Sequence, residues 1–327
     1  MFVAVIIPVY NESHFITQVL RGVGPEVSHI IVVDDCSTDN TVEVVRTIDD
    51  PRITIILHEK NSGVGGAMIS GYRAALKLDV DVFVKIDGDG QMASTFIPKL
   101  IAPITKGLCD YIKGSRFHNR ENLMQMPYVR LLGNIGLSFL AKGASGYWNI
   151  FDPASGFTAI HREALIRIDI DSLDKGYFFE TNMLIQLYRI HAVVRDVPIL
   201  TTYGEEKSEL RPLRVALSFS PRLVAAFIKR IIWRYFLVDF TATSLFLLMG
   251  APLFLFGVFF GAYHWLANYL TESITPLGTI MIAAVSLIIG FQMLLQAVVL
   301  DIHSVPQTPL QSLPTPLGEI VEKLEDL

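Results

Sequence analysis

VDVFVKIDGDGQ, residues 80–91, runs from an apolar stretch straight into two carboxylates separated by one glycine. A short apolar run closed by turn residues is the mark of a strand buried on both faces, as in a parallel sheet. Side chains two apart on extended backbone point the same way. Asp87 and Asp89 therefore converge just past Ile86. Two close carboxylates raise a pKa unless a cation relieves them. Mg²⁺ or Mn²⁺ takes oxygen ligands and commonly shares its shell with substrate phosphates, and Gln91 offers a further oxygen. A solvated Asp-Gly turn is the competing reading of the same residues.

Three similar runs lie N-terminal to it: Val3 to Val9, His29 to Val33 and Ile53 to Leu57. Helical patterns follow each, from Ser13, over Thr41 to Ile48, and from the turn NSGVGGA through Lys77. Strands alternating with helices call for an α/β, Rossmann-like, mostly parallel sheet. Ligands of such sheets sit beyond the strands' carboxyl ends. The first strand ends in PVYNE (8–12), where Tyr10 offers a stacking face and Glu12 a carboxylate. The second ends in DDCSTD (34–39), whose acids suit ribose hydroxyls or a base N–H. Thr38 or Asp39 would equally cap the next helix. Gly63, Gly65 and Gly66 let backbone approach a ligand closely, but their spacing fits neither GxGxxG nor the phosphate loop.

Beyond Gly107 the pattern is less regular. It predicts a strand near Tyr111 to Lys113 and helices around Arg130 to Lys142, Glu163 to Ile168 and Glu180 to Ile190. Seven basic residues against one acid then fall between Lys207 and Arg234, +6 in a chain whose net charge is −5. An overall acidic balance does not indicate a nucleic-acid partner. Pro221 to Phe240 reads as an amphipathic juxtamembrane helix with Ser220 as N-cap and Pro221 first. Phe240 to Thr271 and Ser273 to Leu300 contain no Asp, Glu, Lys or Arg except Glu272 between them. About 20 apolar residues cross a bilayer, so the two runs predict two transmembrane helices. Basic residues before the first place that side in the cytosol and attract anionic membrane lipid. Met1 leads into a strand without a signal-peptide pattern. The expectation is an integral membrane protein, in the plasma membrane of a prokaryote, with catalytic domain and both termini cytosolic. Cys36 and Cys109 form no disulfide or metal pattern. Gly250, Gly257 and Gly261 allow close helix approach, which suggests a homo-oligomer. The predicted divisions are 1–205, 206–238, 239–301 and a cytosolic tail at 302–327, proline-rich and extended over Ser304 to Pro316 with a short amphipathic helix over Leu317 to Leu327.

Taken together, PVYNE, DDCSTD, NSGVGGA (61–67) and DGD (87–89) resemble the family 2 glycosyltransferases with their GT-A fold, over residues 1–205. KGSRF (113–117), DPASGF (152–157), GYFFET (176–181) and the hairpin bring the chain nearest to the polyprenyl-phosphate group of the dolichyl-phosphate mannosyltransferase type. The resemblance implies that Pro8, Tyr10, Glu12 and Asp35 hold the nucleotide, with Asp34, Ser37, Gly63, Gly66, Asp87 and Gly88 lining the same site. It implies that Asp87, Asp89 and Gln91 bind Mg²⁺ or Mn²⁺ on the donor diphosphate, and that Arg116 and Arg130 face an acceptor phosphate. Asp152 and Glu180 would orient the acceptor, or act as base on a hydroxyl. Two departures stand out: Gly90-Gln91-Met92-Ala93 replaces the frequent Leu-Gln-His/Asp-Pro, and Cys36 replaces a frequent glycine. The implied activity is metal-dependent, inverting transfer of a sugar from a UDP- or GDP-linked donor to a membrane polyprenyl phosphate. The alternative acceptor is a glycolipid or diacylglycerol hydroxyl. A processive polysaccharide synthase fits poorly, because QxxRW is missing and two spans make a poor channel.

Overall fold

The computed structural model describes residues 1–115, 128–151, 155–199 and 212–313. Arg116 and Asp152, and the tail from 314 onward, lie outside them. In chain order the first unit carries β1 Val3–Val9, α1 Ile16–Arg21, β2 His29–Asp34, α2 Thr41–Arg46, β3 Ile53–Leu57, α3 Val64–Ala75, β4 Val82–Lys85 and α4 Ile97–Thr105. It continues with β5 Tyr111–Ser115, α5 Tyr128–Ser145, β6 Thr158–His161, α6 Arg162–Arg167, α7 Phe179–Arg189 and β7 Val194–Pro198.

The seven strands form one sheet in the order β3-β2-β1-β4-β6-β5-β7. β1 pairs in parallel with β2 and β4, β2 with β3, and β5 with β7, whereas β6 is antiparallel to both its neighbours. Every residue of β1 and β4 is buried, as continuous apolar runs demand of central strands. β3, at the edge, is only half-buried. The sequence reading missed β6 and β7. TAIH spans only four residues, and VRDVP carries two charges at the opposite edge, so neither shows an apolar run.

The register sets Val9 beside Asp34 and Ile6 beside Lys85. The chain therefore leaves β1, β2 and β4 along one rim of the sheet, which brings residues 10–12, 35–39 and 86–91 together. At the opposite end of β5, the described part of the C-terminal tail folds back onto this unit. Leu310 N donates to Asp110 Oδ1 at 2.8 Å, and Gln311 Nε2 donates to the carbonyls of Cys109 and Ile104 at 2.9 and 3.1 Å. A proline-rich, extended stretch was the expectation here; buried Leu310, the Asp110 carboxylate and the carbonyls of Ile104 and Cys109 hold it in place.

Ala225–Val305 forms a second compact unit. α8, Pro212–Ile232, runs through Pro221 rather than starting there, with Pro212 in the first position. A π-helical turn follows at Trp233–Val238. α9, Ala242–Leu270, and α10, Leu277–His303, are long and apolar enough to cross a membrane. Only 11% of the most apolar window of each is buried, so neither is the core helix of a water-soluble body. Gly250 and Gly257 are buried between α9 and α10; a Cβ on Gly257 would lie 2.6 Å from Leu287 N. These glycines serve the hairpin's own packing, which removes the basis for inferring a homo-oligomer from them.

Candidate active site

The rim is laced together by side chains that cap neighbouring loops. Asn11, held at φ +58°, accepts from Thr38 N at 2.7 Å, and its own N–H donates to Ser37 Oγ at 2.9 Å. Glu12 N donates to Thr41 Oγ1 at 2.9 Å. Asp39 accepts from Thr41 N and Ser13 N, and hydrogen bonds from these residues outweigh burial, holding its carboxyl below the ordinary range. The helix-capping reading of Asp39 thus has a physical basis. Tyr10 leaves its ring 47% exposed at the end of β1, open to a planar ligand.

Two adjacent aspartates are used differently. Asp35 is buried, accepting Ser62 N at 2.8 Å, Gly63 N at 2.7 Å and the His58 ring at 2.7 Å. Its carboxylate builds the turn before α3. Asp34 Oδ2 accepts Ser37 N, but its buried Oδ1 meets no partner among the described residues. An orphaned carboxylate oxygen costs free energy unless something donates to it, so Asp34 rather than Asp35 has an acceptor to spare. The glycines of the same turn sit against the chain itself. A Cβ on Gly63 would lie 2.5 Å from Lys175 O, Gly65 abuts the Asp174 carbonyl, and Gly66 N donates to Lys175 O at 3.2 Å. Backbone does approach closely here, and the backbone is that of residues 174–176. Cys36 adopts φ +66°, the left-handed region a glycine would enter without strain.

At the end of β4 the sequence reading missed a central member. Lys85, 1% exposed, reaches Asp87 Oδ1 at 3.0 Å and Glu180 Oε1 at 2.8 Å. Burial by itself lowers the pKa of this ammonium. The two carboxylates more than reverse that and hold it above the ordinary lysine range. The signal was present: a lysine inside the apolar run VFVKI must find anionic partners. Lys113 inside YIKG is a second case, fully buried with its ammonium on Ser155 O at 3.0 Å. Glu180 is brought in by the first turn of α7, ninety-five residues on in sequence. Gly156 completes the pocket. A Cβ there would collide with Asp87 Oδ2, so a glycine is what leaves that carboxylate its room.

Asp89 Oδ1 accepts Gln91 N at 3.0 Å, which orients the carboxylate. Among the described residues no group of three or more His, Cys, Asp or Glu side chains converges as a complete metal shell. Two Asp carboxylates and the Gln91 amide are a partial set of hard oxygen donors. Such a set fits Mg²⁺ or Mn²⁺, which keep waters and substrate phosphates as remaining ligands. Arg130 lies in the first turn of α5, where main-chain N–H groups also favour an anion.

The family model described as glycosyl transferase family 2 matches residues 4–169. The UDP-N-acetylglucosamine–dolichyl-phosphate N-acetylglucosaminyltransferase of Methanococcus voltae is 34% identical over 215 residues, spanning 61% of this chain and 85% of that protein. The undecaprenyl-phosphate mannosyltransferase of Micrococcus luteus is 31% identical over 205 residues, spanning 61% and 83%. In fold, the chain is similar to glucosyl-3-phosphoglycerate synthase from Mycobacterium tuberculosis, solved in complex with Mn²⁺, uridine diphosphate and phosphoglyceric acid. The TM-score is 0.50 at 22% identity, over 70% of this chain and 78% of that one.

Proposed function

The chain belongs to glycosyl transferase family 2 and is a glycosyltransferase, and on that premise we propose that it moves a sugar from a UDP- or GDP-linked donor onto a membrane polyprenyl phosphate. Tyr10 stacks the base, Asp34 accepts from the nucleoside, and Asp87, Asp89 and Gln91 hold a divalent cation. When bound, that cation neutralises the charge building on the departing nucleoside diphosphate. Arg116 and Arg130 pair with the acceptor phosphate, a geometry that suits a guanidinium. α9 and α10 keep the enzyme in the bilayer that contains the lipid, with both termini cytosolic.

The observation that supports a phosphate acceptor is the Lys85–Glu180 ion pair, which bears on Glu180, one of the two candidate bases, Asp152 being the other. A hydroxyl acceptor needs a general base. Taking a proton onto Glu180 would deprive a fully buried ammonium of one of its two anions, a costly exchange. A phosphate monoester needs no such base, since its second pKa is about 6 and it is already largely ionised near neutrality. The resemblance to family 2 implies inversion, hence one in-line displacement at the anomeric carbon, which an already ionised acceptor oxygen can make without a covalent intermediate. Positioning and desolvation supply most of the barrier reduction.

The test is a screen of radiolabelled nucleotide sugars with the full chain in detergent, with and without Mg²⁺ or Mn²⁺. Undecaprenyl phosphate, dolichyl phosphate and diacylglycerol serve as acceptors. The expected product forms only with a polyprenyl phosphate and a divalent cation, and releases its sugar in mild acid. An acid-stable glycoside formed on diacylglycerol would overturn the proposal.

A further inference from the structure

Lys85 does more than neutralise two carboxylates, because the carboxylate it holds at 3.0 Å is the one required to receive a divalent cation. The ammonium is 1% exposed, lies on the rigid central strand β4, and is tethered at its other side to Glu180 of α7 at 2.8 Å. It cannot swing into solvent, since the whole strand around it is buried. Asp87 Oδ2 lies against Gly156 on the other side, and its Oδ1 is held by the ammonium. A divalent ion on Asp87 and Asp89 would therefore share Asp87 with a fixed positive charge, and the two like charges repel, water at the 30% exposed Asp87 side chain weakening the repulsion without abolishing it.

We propose that Lys85 is a built-in monocation that keeps the Asp87 carboxylate in place and holds the site's affinity for a bare divalent cation low, so that metal and nucleoside diphosphate bind together. The inference rests on the reading of Asp87 and Asp89 as metal ligands. Lys85 acts through Asp87 and is a positioning residue, touching neither donor nor acceptor. The negative charges of the diphosphate, two in a nucleotide sugar and about three in free UDP or GDP near neutrality, offset the repulsion, which makes the binding of each favour the other. By linkage the coupling is reciprocal. The partial donor set fits this arrangement, since the shell is completed by the diphosphate rather than by further protein carboxylates. An enzyme so built does not sequester metal ions between turnovers, and it assembles its electrophile only when the donor is present.

The test is Mn²⁺ binding to the full chain in detergent, followed by the electron paramagnetic resonance of free Mn²⁺, alone and with UDP or GDP. The wild type should bind Mn²⁺ weakly alone and far more tightly with a diphosphate. Lys85→Met should bind Mn²⁺ alone about tenfold or more tightly than wild type, with a correspondingly smaller gain from the diphosphate. Lys85→Arg, which keeps the charge, should behave as wild type. Because Lys85→Met leaves Glu180 buried without its cation, the double variant Lys85→Met/Glu180→Gln is measured alongside it. It removes both charges of that pair and should still tighten Mn²⁺ binding relative to wild type, by less than Lys85→Met because the Glu180 anion is lost as well. Unchanged or weaker Mn²⁺ affinity in the folded variants, with wild-type binding intact, would overturn the role of Lys85 alone. Failure of the wild type to bind Mn²⁺ even with a diphosphate would overturn the metal-site reading as well.

Discussion

Arg230 and Asp301 meet in a two-pronged ion pair, Nη1 to Oδ1 and Nη2 to Oδ2, both at 2.8 Å across 71 residues of sequence. Both side chains are buried, and the Tyr235 hydroxyl donates to the same carboxylate at 2.5 Å. The pair ties the C-terminal end of α8 to the C-terminal end of α10. A buried pair broken on one side leaves an uncompensated charge and costs about 3–5 kcal/mol, whereas replacing both partners with apolar groups is often neutral. Asp301→Ala should therefore lower the melting temperature of the detergent-solubilised protein steeply, and Arg230→Met/Asp301→Leu should recover most of the loss.

Asp34 and Asp35 should separate in mutagenesis. Asp35→Ala removes acceptors from two main-chain N–H groups and the His58 ring. Each buried donor left unsatisfied costs about 1–3 kcal/mol, so denaturant unfolding should show a marked loss. Asp34→Asn keeps an acceptor for Ser37 N and should alter stability by less than about 1 kcal/mol. Its expected effect is weaker binding of UDP or GDP by calorimetry, since Oδ1, buried and without a partner among the described residues, loses its charge.

Asp89→Asn should reduce turnover by at least about 100-fold, because charge neutralisation by a bound metal is worth several kcal/mol. The bond from Gln91 N to Oδ1 can survive the substitution, so thermal unfolding should fall far less than turnover. A steady-state assay across Mn²⁺ concentrations reads both the loss and any shift in metal requirement.

Cys36→Gly should stabilise the catalytic unit. At φ +66° an L residue carries strain of roughly 1 kcal/mol that glycine avoids, partly offset by glycine's freedom in the unfolded chain. The expected gain is about 0.5 kcal/mol in denaturant unfolding, with turnover unchanged.

His161 makes stability depend on pH. Burial lowers its imidazole pKa below the ordinary 6.5, against the opposing pull of Asp110, and its Nδ1 accepts Glu163 N at 3.2 Å to cap α6. The unfolded chain binds this proton more readily than the folded one. The contribution is therefore fully present above pH about 6.5 and is lost as the pH falls from there through the lower folded value. His161→Asn, which retains a capping oxygen, should flatten the stability profile between pH 5 and pH 7 relative to wild type.

How far the site could be read from sequence differs by residue type. The acids at the ends of apolar runs were visible because strand burial and chain direction fix where such residues emerge. Their division of labour was not. Asp34 and Asp35 are neighbours in the same motif, and only the fold of residues 58–63 decides that one is consumed by a turn. Lys85 and Lys113 were legible in principle as charges inside apolar strands, but their partners lie far away along the chain. The tail's return to Asp110 left no local pattern at all.

Periodicity, the spacing of the acids and the two uncharged runs were enough to establish an α/β catalytic unit, its carboxyl-end rim and a hairpin of two helices long and apolar enough to cross a membrane. These depend on short-range regularities of burial, which a linear chain records directly. Tertiary structure alone decided that Glu180 faces Lys85 and Asp87, that Gly63 and Gly65 pack on residues 174–176, and that β6 enters the sheet reversed. Each of these joins residues distant along the chain, and such pairings arise only when separate elements compete for the same buried space and the same charges.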